Sequence, residues 1–120
     1  MNESILDSIK KLLGLEPEYT PFDSEIVTYI NSALITLKQL GIGGGFMITG
    51  AEETYADFLT APSLLPLIKN YIVLKVKIVW DVNSLNSNTL SAYKEQIAEL
   101  EWRIREENEQ VIYPNGEEHF

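Results

Sequence analysis

The sequence predicts an all-α protein, a small bundle of about four helices with a long glycine-rich loop between the second and third. Three observations carry this expectation. Ser63–Asp81, the longest apolar run, is too long for an ordinary strand of about five or six residues. Two further segments show helical spacing of apolar residues and stop at a glycine, Gly14 and Gly41. A fourth segment, Thr89–Gln110, carries Leu90, Tyr93, Ile97, Leu100 and Ile104 at alternating steps of three and four.

In chain order, Asn2–Leu13 places Ile5, Leu6, Ile9, Leu12 and Leu13 on one helical face, with Gly14 as the stop. A linker with Pro17 follows. Thr20-Pro21-Phe22-Asp23 predicts an N-cap, a proline at the first helical position and an acid in the first turn. The helix it opens aligns Phe22, Ile26, Tyr29, Ile30, Ala33, Leu34 and Leu37 and ends at Gly41.

Residues 41–60 read as a loop. Four glycines fall within five positions, and Phe46-Met47-Ile48 follow without an obvious apolar partner. The spacing required for a phosphate loop is missing, and Glu52, Glu53 and Asp57 would repel an anion. A segment that is mobile in the free subunit and docks on a partner is expected instead.

Ser63 then caps the central helix, with Pro66 in its first turn. Its apolar residues cover most of the circumference, and Pro66, Lys69, Asn70 and Lys77 leave only a narrow polar strip. A strand competes over residues 72–80, where Ile72, Leu74, Val76, Ile78 and Trp80 alternate strictly, but length favours the helix. Lys75 falls in the centre of the apolar face, where its stem packs while the ammonium reaches water or an acid. After a polar turn, Asn88 is the expected cap of the last helix, which carries Glu99–Arg103 and Glu101–Arg105 pairs and Trp102 off its seam. Residues 111–120 form a tail with a turn at Pro114-Asn115-Gly116. The whole chain, 1–120, is expected to be a single domain.

Composition narrows the function. The net charge of −9, with the lysines concentrated on the central helix, disfavours tight or sequence-specific nucleic-acid binding. With no cysteine there is no disulfide or thiolate chemistry. The sole histidine, His119, is second from the end and supports no catalytic or metal constellation. No enzyme, cofactor or metal site is expected. The first residues lack the basic and apolar regions of a secretory leader, and lysines interrupt the longest apolar run, so a soluble protein without membrane contact is expected.

Several stretches together resemble a known family. They are Asp23-x-x-Ile26-x-x-Tyr29-Ile30-x-x-Ala33, Leu40-Gly41, Tyr55-x-Asp57-Phe58-Leu59, Tyr71-x-x-Leu74-Lys75-Val76-Lys77 with Asp81, and the run Ala92-Tyr93 through Glu101-Trp102-Arg103. The chain is similar in these to the head–tail connector, or head-completion adaptor, proteins of long-tailed bacteriophages. It departs from their pattern at Tyr55, where tryptophan is common, and at Asp81-Val82-Asn83, where Asp-Pro-Pro is common. The resemblance implies a structural virion protein, present in the host cytoplasm during assembly. It implies a twelve-fold ring beneath the portal that extends the DNA channel and offers a platform to the tail or a stopper protein. Phe46, Met47, Ile48, Tyr55, Phe58, Trp102, Tyr113 and Phe120 are the expected contacts with the portal or neighbouring subunits. The rival expectation is a small acidic helical regulator, a DNA mimic or anti-repressor that binds a host protein.

Overall fold

The computed structural model describes residues 1–112, and Tyr113, Phe120, His119 and the 114–116 turn lie outside them. Four α-helices run in order: α1 Ile5–Leu12, α2 Asp23–Gln39, α3 Leu65–Trp80 and α4 Ser87–Ile112. Among the described residues there is no strand, only one isolated bridge between Ser4 and Thr54. The all-α expectation holds, and residues 72–80 are helical.

α3 is the centre. α1, α2 and α4 all pack against it, and Ile68, Tyr71, Ile72, Val73 and Val76 are buried. Phe22 at the start of α2 touches Trp80 at the end of α3, while Tyr71 of α3 reaches Glu101 of α4, so both neighbours run antiparallel to it. The molecule is flat, 48 × 35 × 19 Å.

Both glycine stops are as expected. The amide of Leu15 bonds the Lys10 carbonyl and that of Gly14 the Lys11 carbonyl; Ile42 and Gly41 repeat the pattern on Leu37 and Lys38. Each is a Schellman closure, which needs the left-handed backbone that Gly14 (φ 83°) and Gly41 (φ 89°) supply.

The helix starts differ from expectation in three places. α2 begins at Asp23 with Phe22, not Thr20, in the cap position and no side-chain cap. The reason is Asp23 itself, whose carboxylate is held 2.8 Å from the buried Lys10 ammonium at the electropositive end of α2. α3 is preceded by a 3₁₀ turn, Pro62–Leu64, so Ser63 lies inside a turn opened by Pro62 and caps nothing. α4 starts two residues early because the Asn86 side chain, not that of Asn88, accepts the Thr89 amide at 2.8 Å.

α1 also corrects its predicted face. Leu12 is exposed, whereas Lys10 is fully buried. The Lys10 ammonium donates to the Pro17 carbonyl at 2.8 Å and pairs with Asp23, tying α1, the linker and α2 together. Among the described residues, this ammonium is the only partner of the buried Asp23 Oδ1.

The largest difference is the segment between α2 and α3, which is packed. Ile42, Ile48, Tyr55 and Leu59 enter the core, and short 3₁₀ turns at Gly43–Gly45 and Tyr55–Asp57 break the loop. Asn31 of α2 clasps Ile48 on both sides, accepting its amide at 2.8 Å and donating to its carbonyl at 2.9 Å. Phe46 stacks on Phe58 at 5.1 Å, and a Cβ on Gly43 would lie 3.1 Å from the Phe58 ring. Glu53 accepts the Thr49 amide and hydroxyl and the Gly50 amide. Desolvation opposes ionisation there, but these bonds prevail and hold the carboxyl below its usual range. The expectation that Phe46-Met47-Ile48 lacks support within the chain is thus overturned for Phe46 and Ile48, whereas Met47 stays exposed.

Asn31→Ala removes both bonds to a buried segment and is expected to cost about 1–3 kcal/mol in urea unfolding, with faster proteolytic cleavage between Phe46 and Thr49. Unchanged stability and cleavage would contradict the clasp.

Candidate interaction surface

The six predicted contact residues that the structure describes fall into three groups. Ile48 and Tyr55 are interior residues of the subunit and offer no surface. Phe46 and Phe58 are half-buried against each other. Met47 and Trp102 are free, 46% and 61% exposed. Tyr113 and Phe120 lie outside the described residues.

Tyr55 shows how the site differs from its sequence reading. Its hydroxyl lies 2.6 Å from Ser8 Oγ, deep between α1 and the loop. Ser8 donates its single proton to the Ile5 carbonyl, so the tyrosine must donate to Ser8. Burial pushes the phenol up to about 12, aided by the Glu3 charge. Tyr71 is raised in the same sense, by burial and then by its bond to the Glu101 carboxylate, 2.8 Å away.

Trp102 stands on the ridge of α4 turned away from the body. The seam residues Ile97 and Ile104 are buried and Leu100 is half-buried. From Glu95 to Glu109 the helix carries six glutamates against two arginines, and Arg103 is already paired with Glu99 at 2.9 Å.

Sequence reasoning missed a second apolar region. Tyr19, Phe22 and Trp80 form an aromatic chain with centroid distances of 5.9 and 5.1 Å where α2 starts and α3 ends. Val79 and Val82 beside it are exposed. The only available signal was positional: antiparallel neighbours bring the first aromatic of one helix to the last of the other.

That patch continues into a groove of about 390 Å³ between α2, α3 and α4. Tyr29, Ala33, Ile78 and Ile97 line it, and Lys75 and Lys94 stand at its sides. Lys75 is half-buried, and its ammonium lies 6.0 Å from the centre of the Tyr71 ring. Across α3 a more polar groove of about 420 Å³ is lined by Leu12, Asn70, Leu74, Lys77 and Arg103, among others. The chemistry on offer is apolar contact framed by charge, that of a surface which binds other proteins.

The fold is a small helical bundle with exposed apolar surface. A model of the phage connector protein family matches residues 5–111, from the first residue of α1 almost to the end of α4. The chain belongs to that family, a family of structural phage proteins, which makes it a virion component that works by contact with other virion proteins. No curated protein and no solved structure matches it at a significant level.

The Ser8–Tyr55 bond gives two expected outcomes. Ser8→Ala strands a buried phenol and costs about 1–3 kcal/mol, more than Tyr55→Phe, which leaves Ser8 bonded to Ile5. Between the ordinary phenol value of 10.0 and about 12 the unfolded chain loses this proton and the folded chain keeps it. The contribution is therefore complete below pH 10.0 and drains away as pH rises toward 12. Tyrosinate absorbance should lack the Tyr55 ionisation until the top of that window, and an early Tyr55 signal in native protein would contradict the assignment.

Proposed function

We propose that copies of this protein form a ring beneath the phage portal, extending the DNA channel and offering a platform to the tail or to a stopper protein. Membership of the connector family is the observation that carries this reading, and it favours a connector over an acidic regulator of a host protein. A twelve-fold ring would match the portal. The ring acts only by contact and catalyses nothing.

The surface supports assembly. A flat subunit that keeps Trp102, Met47, Val79, Val82 and the Tyr19–Phe22–Trp80 chain at or near solvent has apolar area to bury against neighbours. Large aromatics dominate interface energetics, which makes Trp102 an anchor. The charge supports the channel. Acids outnumber bases 18 to 9, and Lys10, Lys69 and Arg103 are paired with carboxylates, so an acidic wall lets DNA pass without gripping it. Portals present many docking sites together, which raises the effective concentration of subunits and favours ring closure there.

Mixing the protein with its phage's purified portals and imaging them by electron microscopy should show an added ring layer. Trp102→Ala should lower its occupancy several-fold. Portals without added density at saturating protein would overturn the proposal.

A further inference from the structure

Trp102 and the groove between α2, α3 and α4 differ in shape and charge, and each lacks what the other has. The groove floor is apolar, formed by Tyr29, Ala33, Ile78 and Ile97. At its sides Lys75 and Lys94 have no carboxylate partner among the described residues, although the chain carries twice as many acids as bases. Among the described residues, Trp102 is the most exposed of the large apolar side chains. Helical spacing surrounds it with acids: Glu106 one turn on, and Glu95 and Glu109 two turns away on either side.

We infer that the groove is the receptor for α4 of a second copy, with Trp102 as the inserted anchor and its flanking glutamates paired with Lys75 and Lys94. A tryptophan buries roughly 150–250 Å², the largest apolar contribution a single side chain of this surface can make to such a contact. The two ammoniums explain why this occupant suits the site. An apolar groove flanked by unpaired lysines favours an aromatic carried on an acidic ridge and disfavours a basic or purely aliphatic one. Within the described residues, α4 is the segment that presents such a ridge.

Ridge and groove are different patches, so the contact is heterologous. It repeats head to tail and either closes as a ring or runs on as a filament, while an isologous pair would stop at two. The inference rests on the self-assembly reading above and adds the surfaces that meet.

The chain contains no cysteine, so each introduced thiol is the only one on its copy. Val79→Cys on the groove wall of one copy and Ala98→Cys, one turn from Trp102, on another are mixed with a short bis-maleimide. The reaction is run with free protein at high concentration and again on purified portals. The expected product is the mixed Val79→Cys/Ala98→Cys dimer, in excess over either homodimer. Adding Trp102→Ala to the Ala98→Cys copy, or Lys75→Glu with Lys94→Glu to the Val79→Cys copy, should reduce it several-fold. Circular dichroism of each variant verifies that it is folded. Portals that gain a ring layer but give no mixed dimer would overturn this contact and leave the connector reading standing. Absence of both the ring layer and the mixed dimer would overturn the two together.

Discussion

Everything in this subunit is arranged to cover α3. Sixteen residues with three lysines and one asparagine as their only markedly polar side chains cannot face water on one side as an ordinary amphipathic helix does. Three helices close around it, and the segment between α2 and α3 adds Ile42, Ile48, Tyr55 and Leu59 to the same core. Coverage is incomplete. Val79 is exposed and Leu74 and Ile78 are half-buried, so the helix that organises the interior also supplies walls for both grooves. Core and exposed apolar surface therefore come from the same helix.

Four polar contacts set the arrangement of the parts around that helix. Lys10 joins α1 to the start of α2 and to the linker, Asn31 joins α2 to Ile48, Ser8 joins α1 to Tyr55, and Tyr71 joins α3 to Glu101 of α4. Burial makes each specific, because a displaced element would leave an unpaired polar group away from water. The Lys10–Asp23 pair is the clearest case. Its desolvation cost offsets much of its attraction, so its contribution lies less in net stability than in the high cost of any packing that separates the two charges.

Periodicity and the two glycine stops made the helices legible in the sequence, since both signals are local. The remainder depended on partners far away in the chain. Residues 41–60 resembled an unsupported loop because Asn31 and Ser8, which hold it, belong to other elements. The burial of Lys10 has no local signal, because nothing near it in the sequence shows that Asp23 and the Pro17 carbonyl come to meet it. Trp102 was visible as a residue that misses its helix's seam, and it is indeed bare. Tyr55 is ambiguous in the sequence because an aromatic after a glycine-rich run is as compatible with docking on a partner as with entering the core. The groove was invisible, since it exists only where three helices meet.

Amide hydrogen exchange across the free subunit tests the primacy of α3 most directly. If α3 is the hub, its amides from Ile68 to Val76 are the slowest to exchange and do so only through global unfolding, while α4 beyond Ile104 exchanges by local opening. Protection in Ile68–Val76 no greater than that at the end of α4 would contradict the account.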